Sequence, residues 1–252
     1  MKLKLFHLNI FQGKYLANLI RFLKKSDFDI LSFQEIGQGA GRYTHITFHN
    51  PLPVLKKALP NHHVESLNYF KLNKKISSGN AIFFKNNLKL ISRNEIWLNR
   101  PKKKYKKLAD YRQPHAALAL ALKHSGKTVQ IINTHLAWGP TAEDRKYKAD
   151  QANRLLRYLK KINEPFILTG DFNLTPDTKI VKSFGKLAAN LTQKYKIKNT
   201  LNPRVHYASN LFPPGLAVDY IFASKGIKIK KFKLVDKPDL SDHLGLALEF
   251  EI

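Results

Sequence analysis

The chain has 252 residues, long enough for one core that buries roughly three quarters of the unfolded surface, and its formal net charge is +26. It contains no cysteine, which excludes disulfides and cysteine-based zinc sites, so any metal would be held by oxygen or imidazole. No apolar run approaches the roughly 18 residues of a membrane span, and His7 and Asn9 interrupt the N-terminal apolar stretch. We therefore expect a single domain over residues 1–252 that is cytoplasmic, monomeric and without stable membrane association.

The charge balance indicates an acidic partner, since 44 basic residues stand against 18 acidic ones. A field of this sign attracts polyanions such as nucleic acids. The alternative is a drift of the source genome towards lysine. Drift accounts for many lysines but not for so few acids, so a polyanionic partner is the favoured interpretation.

The N-terminal part of the chain predicts a strand, a helix and a second strand. The apolar stretch LKLFHLNI precedes a segment with helical spacing, and FDILSFQE follows it. The helical positions are Leu16, Leu19, Ile20 and Leu23. A second helix is predicted over residues 54–59. This order is typical of a fold that combines helices with a layered sheet.

The middle of the chain is rich in strands. Each predicted strand is short and bounded by glycine, proline or asparagine. The strands are HVESLNYF, GNAIFFK, LKLISRNEIWL, HAALALAL and TVQIINTHL. Consecutive strands of this kind favour antiparallel sheets over a purely doubly wound fold.

The clearest helix is predicted to start at Thr141, whose hydroxyl would cap it while Asp144 reaches back from the third position. Its apolar stripe consists of Ala152, Leu155, Leu156, Leu159 and Ile162. After Pro165 the chain returns as a strand, and AVDYIFAS, IKIKKFKL and LGLALEFEI add three more. We predict an α/β (α+β) four-layer sandwich of two packed, mainly antiparallel β-sheets flanked by α-helices.

The unusual polar side chains fall at the ends of these predicted strands. They are Asn9, Gln34, Glu35, His135, Asp171, Asn173, Asp219, Asp242 and His243. Strand ends on one side of a sandwich form a rim, so these groups could converge there. The segment ILTGDFNLTPD illustrates the pattern, with Gly170 allowing a close backbone approach and Phe172 pointing back to the core.

Each of these residues also has an ordinary explanation when it is taken alone. The alternatives are a strand end for Asn9, a solvated loop acid for Glu35, a satisfied core histidine for His135, and a cap with a surface imidazole for Asp242 and His243. Asp219 is harder to explain in this way, because a carboxylate within the apolar AVDYIF is costly unless it is paired. Taken together, the ordinary explanations are weak.

Six ordered motifs resemble those of the endonuclease/exonuclease/phosphatase superfamily. They are HLNI around Asn9, QE at 34–35, NTHL at 133–136, GDFN at 170–173, VDYIFAS at 218–224 and SDH at 241–243. That group includes deoxyribonucleases, AP endonucleases, deadenylases, sphingomyelinases, inositol polyphosphate 5-phosphatases and tyrosyl-DNA phosphodiesterases. The resemblance spans the chain from Asn9 to His243, and it implies metal-assisted hydrolysis of a phosphoester.

The resemblance implies a metal site of oxygen ligands. Glu35 would be the principal ligand, with Asn9 and Asp242 adjacent. Mg²⁺ suits such a set because a hard cation prefers carboxylate and amide oxygens, and Mn²⁺ is a plausible substitute. Asp171 would be the general base for the attacking water, and Asn173 would orient that water or the phosphate.

The resemblance also implies two histidines at the phosphate. His243 would act on the phosphate oxygens while Asp219 fixes its orientation. His135 would be the second imidazole on the developing negative charge. Arg112, in DYRQPHAAL, resembles a phosphate-contacting arginine of the deoxyribonucleases, although a surface arginine paired with Asp110 remains an alternative.

The substrate is less well defined by the sequence. Lysine clusters with interleaved aromatics, KKKYKK, KYKIK and KIKKFK, could follow a phosphate backbone, although KIKKFK also fits ordinary strand patterning. The leading hypothesis is a Mg²⁺-dependent phosphodiesterase that cleaves DNA or RNA. The alternatives are a phosphatase of small or lipid phosphates and, less favoured, a catalytically inactive nucleic-acid-binding module.

Overall fold

A computed structural model describes residues 2–43, 46–71, 73–100, 113–206 and 216–252. Two six-stranded sheets dominate this part of the chain. In spatial order, the first sheet contains β13 (Lys228–Val235), β14 (Gly245–Glu251), β1 (Lys2–Asn9), β2 (Ile30–Ile36), β6 (Ser77–Lys85) and β5 (His62–Lys71). The second contains β11 (Ala189–Asn190), β12 (Asp219–Ala223), β10 (Phe166–Asp171), β9 (Lys127–His135), β8 (His115–His124) and β7 (Lys89–Asn99). A separate hairpin joins β3 (Ala40–Tyr43) to β4 (Ile46–His49).

Each sheet contains one parallel pair among antiparallel neighbours. β1 runs parallel to β2, and β9 runs parallel to β10. A parallel pair requires a crossover connection, which is usually a helix. Helix α1 (Leu16–Lys24) supplies the first crossover, and α3 (Lys146–Leu159) supplies the second. The two sheets therefore have equivalent centres, each a parallel pair flanked by antiparallel strands.

Three apolar layers hold the sandwich together. The layer between the sheets includes Leu5, Ile30, Leu118, Ile131 and Leu248, all fully or almost fully buried. A second layer lies under α3 and α4 (Lys179–Gly185) on the outside of the second sheet. A third lies under α1 and α2 (Pro51–Ala58) on the outside of the first sheet. The predicted four-layer α/β sandwich is confirmed, with mixed sheets.

The inner face of the sandwich changes from apolar to polar along its strands. In β1 the inward positions are Leu3 and Leu5, followed by His7 and Asn9. Other strands make the same change with Ser32 and Gln34 in β2, Asn133 and His135 in β9, and Thr169 and Asp171 in β10. Alternate residues of a strand face the same side, so these polar groups meet at one end of the sandwich. That end holds the candidate site.

The predicted start of α3 is wrong. The helix begins at Lys146 after an extended Arg145, and no side chain caps it. Asp144 instead accepts hydrogen bonds from the backbone N–H groups of Lys179 and Ile180 at the start of α4. The carboxylate thus stabilises the exposed N–H groups of a different helix, which local sequence spacing did not indicate.

Further differences concern short elements and the lysine clusters. Helix α2 starts at Pro51 rather than at residue 54, and the hairpin, α4 and α5 (Leu191–Lys194) were not predicted. In β13 Phe232 is buried while its neighbouring lysines are exposed, which matches ordinary strand patterning. Arg112 and the cluster KKKYKK lie outside the described residues. Within the described ranges, no helix is long and apolar enough to cross a membrane.

Candidate active site

The polar residues predicted from the strand ends meet at one edge of the sandwich. The first sheet contributes Asn9, Glu35, Asp242 and His243, and the second contributes His135, Asp171, Asn173 and Asp219. The C-terminal ends of β1, β2, β9 and β10 lie beside the N-terminal ends of β12 and β14, because the latter two run antiparallel. This topology explains how residues more than 200 positions apart become neighbours.

Asn9 connects the two sheets at the centre of the site. Its Nδ2 donates to Glu35 Oε1 at 3.2 Å and to Asp171 Oδ2 at 3.1 Å, while its Oδ1 accepts from the backbone N–H of Phe11. The side chain is almost completely buried. Asn9 therefore fixes the distance between a carboxylate of the first sheet and a carboxylate of the second.

Glu35 owes its position to a bulge in β2. The β2–β6 register shifts between Gln34 and Ile36, and Glu35 has a left-handed backbone with φ of 53°. A regular strand would turn Glu35 away from Gln34, but a bulge re-aims the side chain locally. Gln12, which also has a left-handed backbone, donates from Nε2 to Glu35 Oε2 at 3.2 Å.

Asp242 lies in a loop that Asn202 holds on one side and the first sheet holds on the other. Asn202 Nδ2 donates to the carbonyl of Ser241, and Asn202 N donates to the carbonyl of Asp242 at 2.8 Å. The Ser241 hydroxyl donates to the carbonyl of Asn9 at 2.6 Å. Burial raises the pKa of the Asp242 carboxyl to about 6, and the negative charges of Glu35 and Asp171 act in the same direction.

The donor set fits a hard divalent cation. Glu35 is partly exposed, and Asp242 is a buried carboxylate whose ionised form a nearby positive charge would stabilise. Within the described ranges, two groups of three side chains bring ligand atoms within 4.8 Å of one another. They are Asp171 with Asp219 and His243, and His206 with Asp242 and His243. Neither group contains Glu35.

Asp171 ends β10 and is only 1% exposed. Its Oδ1 accepts from the backbone N–H of Asn173 at 2.9 Å, and Asn173 adopts a left-handed backbone. A Cβ on Gly170 would approach Thr134 O to 2.6 Å, so glycine permits the close strand contact there. Phe172 is buried against Phe184, Tyr220 and Phe222, as the alternating pattern predicted.

A buried lysine supports the loop that carries Asp171 and Asn173. Lys148 of α3 donates from Nζ to the carbonyl of Asn173 at 2.8 Å and to that of Thr141 at 3.1 Å. Its side chain is fully buried. Burial lowers the pKa of Lys148 to about 8, although the charge of Asp171 opposes this shift.

The network around Asn173 determines the tautomer of His135. Asn173 Nδ2 donates to the carbonyl of Leu136 at 3.0 Å, which fixes its amide orientation, and the same Nδ2 lies 3.1 Å from His135 Nε2. His135 Nε2 therefore accepts a hydrogen bond and carries no proton in this arrangement. His135 Nε2 also lies 3.5 Å from Asp171 Oδ2.

Asp219 and His243 form a buried pair beside Asp171. His243 Nδ1 donates to Asp219 Oδ2 at 2.8 Å, and its Nε2 lies 3.8 Å from Asp171 Oδ2. Burial alone would lower the pKa of His243, but the charge and hydrogen bond of Asp219 raise it well above its usual value. Burial alone would raise the pKa of Asp219, but His243 and His7 hold it below its usual range.

Several neighbours of the site were not predicted from the sequence. His206 lies against His243 with ring centroids 5.5 Å apart, and burial together with the His243 charge lowers the pKa of His206 to about 4. On the other side, His115 donates from Nδ1 to the carbonyl of His135, and Tyr69 packs against His115. The histidine in the segment NPRVHYAS carried no local signal. Its proximity to His243 depends on the contact of the 199–202 segment with residues 242–244.

A family model described as "Endonuclease/Exonuclease/phosphatase family" matches residues 8–243. The chain belongs to this family. Members of the endonuclease/exonuclease/phosphatase family are phosphoester hydrolases, so the chain is an enzyme of that type. The resemblance seen in the six sequence motifs is therefore confirmed.

Solved structures of the endonuclease/exonuclease/phosphatase family share the fold at low sequence identity. Mannosyl-6-phosphatase from Bacteroides thetaiotaomicron has 19% identity and a TM-score of 0.74, over 99% of this chain and 100% of that one. The human Nocturnin catalytic domain, with bound sulfate, has 20% identity and a TM-score of 0.70, over 99% and 93%. D. rerio TDP2 humanised by 14 mutations has 17% identity and a TM-score of 0.69, over 100% and 99%. Among curated proteins, none matches the sequence significantly.

Proposed function

We propose that the chain is a Mg²⁺-dependent phosphodiesterase that hydrolyses the backbone of DNA or RNA, with residues 1–252 acting as one monomeric domain. The observation that carries the proposal is the position of Asn9. It joins Glu35, on the candidate metal side, to Asp171, on the candidate base side, through hydrogen bonds of 3.2 and 3.1 Å. A water bound between these groups can lose a proton to the Asp171 carboxylate, and its oxygen can then attack the phosphorus of the substrate.

Glu35 and Asp242 are the residues that would hold the cation, with Asn9 adjacent. A bound Mg²⁺ or Mn²⁺ would polarise a phosphoryl oxygen and offset charge on the leaving oxygen. The raised pKa of Asp242 supports this assignment, because its ionised form gains stability from a positive charge. Gln12 and Asn9 donate to the two oxygens of Glu35 and hold the carboxylate in one orientation.

Asp171 is the proposed general base. The backbone N–H of Asn173 and the amide of Asn9 each donate to one of its oxygens, so the carboxylate cannot rotate freely. A positioned base typically contributes about 10² to 10⁴ in rate. Lys148 anchors the carbonyl of Asn173 and thereby helps to hold the backbone that carries Asp171.

His243 is the proposed donor to the phosphate oxygens. Asp219 accepts from its Nδ1, which leaves Nε2 facing the site. The raised pKa favours the charged imidazolium, which suits contact with an anionic substrate. His135 cannot donate a hydrogen bond from Nε2 while that atom accepts one from Asn173. We therefore propose that His135 orients Asn173 before substrate binds.

The net charge of +26 supports a polyanionic substrate. The decisive test incubates the purified protein with plasmid DNA, single-stranded DNA and RNA in Mg²⁺ or EDTA. Cleavage in Mg²⁺ alone is expected. Asp171→Asn should abolish it, while the matched surface variant Asp177→Asn should retain it. Intact substrates in all wild-type reactions would reject the nuclease assignment.

A phosphatase of small or lipid phosphates is the second candidate. The observation that favours it is the shared fold with a mannosyl-6-phosphatase at a TM-score of 0.74. Release of inorganic phosphate from sugar, nucleotide or inositol phosphates, without cleavage of polynucleotides, would support this alternative. Salt-dependent DNA binding without any hydrolysis, unchanged in Glu35→Ala, would instead indicate a binding module.

A further inference from the structure

His7 occupies a buried position behind the candidate catalytic pair. It lies on the inner face of β1, two residues before Asn9, and its side chain is fully buried. His7 Nε2 lies 3.2 Å from Asp219 Oδ1, and His7 Nδ1 lies 3.2 Å from Gln34 Nε2. Asp219 is therefore in contact with two imidazoles, His243 on one oxygen and His7 on the other.

The orientation of Gln34 follows from Asn133. Asn133 Nδ2 donates to the carbonyls of Phe33 and Ala81, at 2.8 and 3.0 Å. Its Oδ1 must therefore face Gln34, and it can only accept a hydrogen bond there. The contact of 2.5 Å between these side chains thus identifies the Gln34 atom as the amide nitrogen.

The orientation of Gln34 in turn assigns the tautomer of His7. The same Gln34 nitrogen donates to His7 Nδ1, so that atom is unprotonated. The other ring nitrogen of His7, Nε2, then carries a proton and donates it to Asp219 Oδ1. Gln34 thus donates to Asn133 and to His7, and Asp219 accepts from His7 and from His243, so that five buried side chains form one connected hydrogen-bond network.

We propose that His7 is a positioning residue, which holds Asp219 from behind so that the Asp219 carboxylate presents Oδ2 to His243. The inference rests on the proposed role of His243 at the phosphate. A carboxylate held at one oxygen can still rotate about its Cβ–Cγ bond, whereas donors on both oxygens define one rotamer. His243 Nε2 then keeps its direction towards Asp171 and the substrate.

A buried histidine that merely fills space between the sheets would make the same contacts. Substitution separates the two roles. His7→Leu removes the donor to Asp219, while His7→Gln places an amide N–H at about the same distance along the side chain. Ser32→Ala is the matched control, because Ser32 and Thr169 form another buried contact between the sheets, at 2.6 Å.

The experiment measures kcat and KM with Mg²⁺ on the substrate identified for the wild type, together with thermal unfolding. In His7→Leu, kcat should fall about 10-fold to 100-fold, the usual range for partners that orient a functional group, with KM changing less than about threefold. His7→Gln should recover most of that loss. Ser32→Ala should lower the unfolding temperature and leave kcat unchanged. Folded His7→Leu with wild-type kcat would overturn the proposal.

Nitrogen-15 NMR of the histidines gives a readout that needs no substrate and no folded His7→Leu variant. In the wild type, His7 should show a proton on Nε2 and none on Nδ1, and His243 should show a proton fixed on Nδ1. Gln34→Met should remove the single tautomer of His7. A His7 with its only proton on Nδ1 would overturn the proposal, because Nε2 could not then donate to Asp219. Failure of the nuclease assignment leaves this NMR result unaffected, so the two failures are distinguishable.

Discussion

The carboxylates that the two sheets contribute to the site differ in their exposure and in their surroundings. In the second sheet, both oxygens of Asp171 and both oxygens of Asp219 have donors from the protein. In the first sheet, Glu35 is partly exposed, and burial raises the pKa of Asp242 to about 6. Glu35 also has a side-chain amide donor on each oxygen, so the sheets differ in exposure and in the pKa of Asp242 rather than in the number of donors. The first sheet presents negative charge that a cation would stabilise.

The largest expected effect follows from removing the preorganised base. Asp171→Asn keeps the shape of the side chain but cannot accept a proton, so kcat should fall by about 10² to 10⁴. Metal-dependent stabilisation should persist, because the first sheet is unchanged. Steady-state kinetics and thermal unfolding with Mg²⁺ test both expectations. Loss of metal-dependent stabilisation in this variant would contradict the division between the sheets.

The converse change tests the first sheet. A cation that binds only the folded protein stabilises it by about 2.7 kcal/mol at 100 times its Kd. Glu35→Gln should remove most of this Mg²⁺-dependent shift, whereas the exposed Glu164→Gln should retain it. Denaturant unfolding with and without EDTA measures the difference. An equal shift in Glu35→Gln and wild type would exclude Glu35 as a principal ligand.

The buried Asp219–His243 pair predicts a defined pH dependence in metal-free protein. The raised pKa of His243 means that the folded state binds more protons than the unfolded state above about pH 6.5. Its contribution to the free energy of unfolding is thus complete below that pH and declines as pH rises. Because the pKa of Asp219 is lowered, the contribution of its carboxylate to the free energy of unfolding is lost only below about pH 4.

Urea unfolding between pH 4 and 9 checks this window. The stability difference between wild type and Asp219→Asn should be largest at about pH 4 to 6.5 and decrease by up to about 1.4 kcal/mol per pH unit above it. A difference that grows with pH would show that His243 is neutral in the folded protein.

The smallest expected effect concerns Lys148. Lys148→Met keeps the packing but removes the donor to the carbonyl of Asn173, so kcat should fall by up to about tenfold. The exposed Lys146→Met serves as the matched control. An unchanged kcat in Lys148→Met would show that the Asp171 loop is held without this lysine.

The same variant provides a pH test with the opposite sign. The folded pKa of Lys148 is about 8, below its ordinary value of 10.5, so the unfolded chain binds more protons between these values. The stability of the wild type relative to Lys148→Met should therefore rise from pH 8 to 10.5. A flat difference would indicate that the amine keeps its proton in the folded state.

The sequence predicted the layers and most strands because alternation and helical spacing are local properties. It also placed nine polar residues at strand ends, all of them in the described ranges, and eight of these meet at one edge of the sandwich. Gln12, His7 and His206 were missed for a physical reason. Their contacts depend on backbone conformations at Gln12 and Glu35, and on approaches between distant segments, that no local pattern indicates.

Asp144 illustrates the same limit for the fold. The sequence placed it in a capping box for α3, but the carboxylate binds the start of α4, 35 residues away. Local spacing cannot distinguish between two helices that compete for one acid. Only the packing of α3 beside α4 decides which N-terminus it stabilises.

The position of β14 between β13 and β1 has a consequence for how the chain folds during synthesis. Residues 89–223 supply all six strands of the second sheet, whereas the first sheet needs β1 and β14 from opposite parts of the sequence, with β14 lying between β13 and β1. A nascent chain released as far as β12 already contains Glu35, Asp171 and Asp219, but it has no imidazole at 243, and its first sheet ends at β1 with an unpaired edge. The β1–β14 pairing joins two of the segments that are most distant in sequence. An incomplete chain therefore contains these three acids but not the assembled site.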